Sequence, residues 1–488
     1  MLFNSFQFCC VFFPLVTALY FLLPHGWRRW LLLGASCWFY MAFVPVYILI
    51  LAITIAVDYV AGIWIEQHTG RRKKFFLVAS IIANVGVLAV FKYWNFLNQN
   101  IGDLYHTLGM GYDVPDLGML LPIGLSFHTF QSLAYTIEVY RGHQRAERHI
   151  GTFALYVLFY PQLVAGPIER PANLLDQLNA PAGRGIRSHY DHARVVHGLK
   201  QMLWGFFKKL VVADRCGVVV TQVYGSPGDY DAVGLLLATY LFAFQIYCDF
   251  SGYTDIALGA ARIMGFDLMQ NFRTPYRSAS ISEFWQRWHI SLSTWFRDYL
   301  YIPLGGNRVG TARGYTNILI VFLVSGLWHG ANWTYVIWGG LHGAYLVLAR
   351  VLAPLRSRIG TVTGLARAPQ LERAFNVCIT FHLALMAWIF FRANTVTDAF
   401  TILRRIATTA WHRTDIRHLN KELPTGSVDV TILVVLLFVL IDPRMDAIIK
   451  HERRMPQGLL GMLLFAALLV GLLVLGHFGA TSFIYFQF

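Results

Sequence analysis

The chain has 488 residues, 56% of them hydrophobic, with a mean hydropathy of +0.50 and a formal net charge of +14. A water-soluble domain of this size does not sustain such hydropathy, so the class is a polytopic membrane protein; without ten-residue alternating segments a helical bundle is expected rather than a barrel. The positive charge sits in loops between apolar runs, where cytoplasmic retention and anionic lipid headgroups account for it and no nucleic-acid partner is implied.

In chain order, apolar runs predict spans over residues 6–23, 30–43, 44–65 and 75–96, with the basic stretch 71–74 before the last of these. The N-terminal MLFNSFQFCC has no basic region, so a cleaved signal peptide is not expected. The loop 101–118 carries Asp103, Asp113 and Asp116 and no Lys or Arg, while 141–148 is basic again. This alternation places the N-terminus and the acidic loop outside and the basic loops in the cytoplasm. The short apolar stretch 153–165 contains Pro161 and is flanked by basic loops on both sides, which predicts a re-entrant segment ending in VAGPIER at a substrate entrance. Residues 199–212 read as an amphipathic surface helix, with Lys200, Lys208 and Lys209 set against Trp204, Phe206 and Phe207. The run 233–264 holds Asp249 and Asp255, for which pairing with Arg262, Arg273 or Arg287 is expected. Further spans fall at 341–355, 377–391, 428–441 and 459–478, with a polar connector at 394–424. The total is about 10 to 12 spans in a single membrane-embedded domain covering 1–488. The six cysteines form no C-x-x-C pair and read as small buried hydrophobes, with no disulfide framework and no metal site.

Polar residues concentrate in 284–343. As one helix, Trp285, Trp288, Leu292, Trp295 and Tyr299 form an aromatic face with His289 at its edge, while Arg287 and Asp298 point elsewhere. His329 ends an apolar run, and Gly326 and Gly330 beside it would let another helix or a ligand approach the backbone. His342 follows 13 positions later, about 20 Å away along a continuous helix. A shared site is therefore expected for His329 and His289 and not for His342, unless the chain breaks between positions 329 and 342. A buried imidazole titrating near neutrality can serve as a base.

The segments RWHISLSTWFRDYLYIPLGGNR and GLWHGANWTYVIWGGLHG, with LPIGLSFHTFQSLAYTIEVYRG, VAGPIER, YCDFSGYTDIALGAARIMGF and the terminal FIYFQF, resemble the membrane-bound O-acyltransferases, in particular their bacterial alginate O-acetyltransferase branch. The core motifs occupy about 121–345. The resemblance implies that His329 is the catalytic histidine and His289 the second one implicated. Trp328, Asn332, Trp333, Arg287, Asp298 and Asp249 are the supporting residues expected around them. It also implies acetyl-CoA as a cytoplasmic donor with no tightly bound cofactor. The acetyl group would pass through the bacterial inner membrane to an exported polysaccharide or a periplasmic acetyltransferase partner. No G-x-S-x-G elbow occurs, and no Cys lies beside a base, which favours direct base catalysis over a covalent intermediate. Ser325, one helical turn before His329, leaves the covalent route open. The alternatives are D-alanyl transfer to teichoic acid, which shares the RWH and WHG motifs, and a non-catalytic transporter or scaffold of a polysaccharide export complex.

Overall fold

The computed structural model describes residues 1–119, 121–164, 166–181, 183–409, 419, 428–449, 458–478 and 483–484. Parts of the 394–424 connector and of the terminal FIYFQF motif lie outside the described residues. Among these residues the secondary structure is helical throughout, with no strand, as expected of an all-α polytopic membrane protein. The helices are α1 (Phe13–Leu22), α2 (His25–Met41), α3 (Ile48–Gln67), α4 (Gly70–Leu88), α5 (Trp94–Thr107), α6 (Leu125–Arg141), α7 (Ile150–Leu158), α8 (Tyr160–Leu163), α9 (Pro171–Leu178), α10 (His192–Phe206) and α11 (Asp214–Gly225). There follow α12 (Ala232–Ile263), α13 (Ile281–Arg287), α14 (Ile290–Phe296), α15 (Thr311–His329), α16 (Trp333–Val351), α17 (Ala353–Val362), α18 (Pro369–Arg392), α19 (Val396–Thr408), α20 (Val428–Ile449) and α21 (Gly458–Leu475).

Among the described residues, five helical stretches are long and apolar enough to cross a membrane: Pro45–Gln67, Gly70–Thr107, Ala232–Ile263, Pro369–Arg392 and Gly458–Leu475. A sixth arises if α16 and α17, bent by 60° at their junction, count as one. The run-length expectation of ten to twelve is not met by this measure, because apolar runs in the sequence are cut into shorter or more polar helices. α20, for example, carries Asp429, Asp442, Arg444 and Asp446. α7 has nine residues and spans about 14 Å, against a hydrocarbon core of about 30 Å. It ends at Phe159, whose backbone (φ −50, ψ 110) leaves the helical conformation just ahead of Pro161, in line with a segment that does not cross straight through.

The chain falls into two compact units, one of Met1–Met202 with Thr254–Met269 and one of Leu203–Tyr253 with Gln270–Ile484. In the first, α3, α4 and α6 are held by buried polar bonds. Asp58 accepts from Ser80 Oγ at 2.7 Å and Asn84 Nδ2 at 2.8 Å, and Thr54 Oγ1 lies 2.6 Å from His128 Nε2. The VAGPIER loop is buried at Val164 and from Gly166 to Glu169 and does not form an open rim. Its Glu169 carboxylate accepts from the Met269 amide at 2.5 Å and from Asn173 Nδ2 at 2.7 Å, tying the loop to the chain that follows α12. Burial pushes this carboxyl up to about 7 against those donors.

In the second unit, Phe207–Ala213 is a π-helical segment between α10 and α11. The wider turn changes the side-chain register that an α-helical reading of 199–212 assumes. Lys208 and Lys209 are therefore buried, at 3% and 1% exposure, and not spread on a surface. Lys209 Nζ meets Asp214 at 2.8 Å and Asp249 at 2.5 Å, and Lys208 donates to Ser251 at 3.0 Å. Asp249 thus pairs with a lysine, where an arginine partner was expected. Its second oxygen accepts from the Ile484 amide at 2.7 Å, which pins the end of the described chain to the same cluster.

Candidate active site

The centre of the second unit is the hairpin of α15 and α16. The apolar run of α15 stops at His329, and Gly330 and Asn332 are extended. Asn332 Oδ1 then caps α16 by accepting from the Thr334 amide at 3.0 Å. Glycine makes the hairpin tight. A Cβ on Gly326 would stand 2.3 Å from the Tyr335 carbonyl oxygen, and one on Gly339 would stand 2.2 Å from that of Phe322. The close approach expected at Gly326 is therefore made by α16. Gly339→Ala is expected to destabilise the protein by about 1–3 kcal/mol, the usual penalty for overpacking. Gly340→Ala should be tolerated, since its Cβ would meet only Leu323 Cδ2, at 3.7 Å. Thermal melting of the two purified variants in detergent checks the contrast.

This turn places the His329 ring, 3% exposed, against three aromatic rings. The centroid distances are 4.9 Å to Trp328, 4.9 Å to Trp338 and 5.4 Å to Phe391. The break at Gly330 also corrects the axial-rise argument for His342. Because the chain folds back, Trp338 of α16 reaches His329, and His342, one turn further along the same helix, lies 5.1 Å from that ring, so His329 and His342 share one indole. His342 is fully buried, accepts from Trp285 Nε1 at 3.3 Å and lies parallel to Phe284.

His289 does not sit within a continuous aromatic helix. It separates α13 from α14 with φ +44, a left-handed conformation that costs a non-glycine residue about 1 kcal/mol. Asn271 holds it there. The Asn271 backbone oxygen accepts from Ile290 N at 2.9 Å. Its Oδ1 receives Ser291 N–H at 3.2 Å, Ser291 Oγ–H at 2.9 Å and the Nδ1–H of His289 at 3.0 Å. With Nδ1 donating, Nε2 is the acceptor nitrogen of the neutral ring, which is the tautomer a base requires. The ring packs edge-on at 4.7 Å from Phe250 and 6.2 Å from Trp328. Trp328 is thus flanked by His289 and His329, the pair the sequence brings together.

The remaining sequence candidates have other partners or face outward. Arg287 pairs with Glu283 at 2.7 Å, and its carbonyl accepts from Arg273 N at 2.9 Å. Asp298 pairs with its neighbour Arg297 at 2.7 Å. Trp333 is 53% exposed, and Asn332 Nδ2 donates to the Asn394 carbonyl. Asp249 belongs to the lysine cluster. Ser325 lines a cavity of about 400 Å³ together with Trp285, Gln286, Ser293 and Arg350. Sequence reasoning missed Asn271 and Trp338. Asn271 has no motif of its own, whereas Trp338 could have been found from its place between the two histidines of the WHG…LHG stretch.

Compared with known proteins, residues 76–391 match the membrane-bound O-acyltransferase family, a region that includes His289, His329, His342 and Asn271. A protein of Pseudomonas aeruginosa named probable alginate O-acetylase is 36% identical over 446 residues, which is 90% of this chain and 81% of that one. The peptidoglycan O-acetyltransferase of Helicobacter pylori is 31% identical over 86% of this chain and 82% of its own. The teichoic acid D-alanyltransferase of Bacillus subtilis is 26% identical over 56% of this chain and 67% of its own.

Proposed function

Because the chain belongs to the membrane-bound O-acyltransferase family, we propose that it moves an acetyl group from cytoplasmic acetyl-CoA to a hydroxyl of an exported polysaccharide, or to a periplasmic partner that completes the transfer. The observation that carries this reading is the buried pair His289 and His329 against Trp328, inside the region matched to the family. In this reading His329 takes the proton of the acceptor hydroxyl as its oxygen attacks the acyl carbon. The tetrahedral intermediate collapses with breakage of the carbon–sulfur bond, and the thiolate leaves with the proton. His289, fixed by Asn271, orients the acceptor or tunes His329. The surrounding indoles exclude water, which protects the thioester from hydrolysis. The bacterial inner membrane is the location that suits this chemistry. Activated acetyl groups are cytoplasmic and the polymer lies outside, so a site within the membrane, reached from both faces, lets the acetyl group cross without coenzyme A.

The acetyltransferase reading is preferred to D-alanyl transfer because the O-acetylating relatives align over most of the chain and the D-alanyl one over about half. Deleting the protein is expected to remove ester-linked acetate from the isolated envelope or extracellular polymer while its sugar yield persists. Loss of ester-linked alanine with acetate unchanged would favour the D-alanyl route. Unchanged acetylation with falling export would favour a transporter or scaffold.

A further inference from the structure

Beside His329 lies a group of polar hydrogens with no acceptor. Trp338 and Trp388 are fully buried, as is His342. Trp338 Nε1, Trp388 Nε1, His342 Nε2 and Tyr345 Oη have no hydrogen-bond partner among the described residues. Their rings adjoin one another. Trp338 is 5.1 Å from His342 and 6.0 Å from Trp388, and His342 is 5.8 Å from Tyr345. The tautomer of His342 follows from its other nitrogen. Nδ1 accepts from Trp285, so in the neutral ring Nε2 carries the proton. An indole nitrogen can only donate. Three of the four groups are therefore donors, and the fourth, a phenol, can donate. Buried donors left unpaired are destabilising, and a cluster of them beside a base is suited to an oxygen that gains negative charge.

We propose that this cluster receives the carbonyl oxygen of the acyl group, with Trp338 Nε1–H as its principal donor. The assignment rests on the acyl-transfer reading above. Trp338 stands 4.9 Å from His329, centroid to centroid, in edge-to-face contact, so the donor's ring lies directly beside the base. When the acceptor oxygen attacks the carbonyl carbon and His329 takes its proton, the carbonyl π electrons move onto the oxygen. The indole and imidazole N–H groups stabilise that oxyanion until the electrons return and the carbon–sulfur bond breaks. His342, outside the site expected from the sequence, thereby gains a role. Its Nδ1 is held by Trp285, which aims its Nε2–H.

The test is Trp338→Phe, which keeps an aromatic ring and deletes the N–H. Steady-state transfer from acetyl-CoA to a soluble oligosaccharide by the purified protein, with any periplasmic partner supplied, should show kcat lower by about a hundredfold, the usual effect of removing one oxyanion donor, with KM for acetyl-CoA within threefold. Trp388→Phe is the second variant, expected to lower kcat about tenfold. A binding measurement gives a readout that packing alone would not move. The wild type should prefer a ketone analogue of acetyl-CoA, with the sulfur replaced by methylene, over S-ethyl-CoA, which lacks the carbonyl; Trp338→Phe should lose that preference. Active wild type together with a Trp338→Phe variant within twofold of it, or one that keeps the preference, overturns the proposal and leaves the acyl-transfer reading standing. A wild type that turns over no acetyl-CoA overturns the donor assignment and the proposal with it.

Discussion

His329→Gln is expected to fail as completely as His329→Ala, with acyl transfer reduced by about a hundred- to ten-thousand-fold and a normal amount of protein in the membrane. Glutamine approximates the size of the imidazole and can hydrogen-bond but cannot take a proton, so the pair of variants separates base catalysis from packing. The site favours this outcome because His329 closes α15 at a turn made by Gly330 and is surrounded by rings that a similar-sized side chain can still contact. His289→Gln should also lose activity, and in addition should disturb the α13–α14 break, since its Nδ1–H to Asn271 helps hold the left-handed backbone. A His329→Gln protein that keeps most of its activity would reduce His329 to an orienting residue.

The largest effect on stability is expected from Lys209→Met. Its ammonium, 1% exposed, sits between Asp214 and Asp249, each 4% exposed. Removing it leaves two buried carboxylates without that counter-charge, and breaking a buried pair in this way typically costs about 3–5 kcal/mol. Asp249→Asn keeps the Lys209–Asp214 pair and an oxygen for the Ile484 amide, so it should be milder. The amount of folded protein recovered from membranes, and its melting temperature in detergent, should fall in the order wild type, Asp249→Asn, Lys209→Met. Equal stability of Lys209→Met and wild type would show that the cluster contributes nothing to the fold.

Much of this architecture is legible in the sequence, and the exceptions share a cause. The helical membrane class follows from apolar runs, and the pairing of His289 with His329 follows from the RWH and WHG motifs. What periodicity does not reveal is where a helix breaks. The left-handed turn at His289 depends on Asn271, 18 positions away, so no local pattern announces it. The reversal after His329 depends on glycines that admit α16, and a Gly in an apolar run signals close approach without saying that the chain itself returns. The π segment at 207–213 shifts Lys208 and Lys209 inward, a change of register that an α-helical wheel cannot represent. Each break brings polar groups together, as where His342, set aside on axial distance, shares Trp338 with His329.

The most direct measurement of the central claim is acetyl transfer by the purified protein in sealed vesicles. Acetyl-CoA labelled separately in its acetyl and coenzyme A parts is supplied on one side, and a polysaccharide acceptor, with any periplasmic partner, on the other. The account predicts that acetyl label becomes esterified to the acceptor while the coenzyme A label stays behind, and that His329→Gln abolishes the transfer. Equal transfer by the His329→Gln protein, or acetyl and coenzyme A labels crossing together, would contradict it.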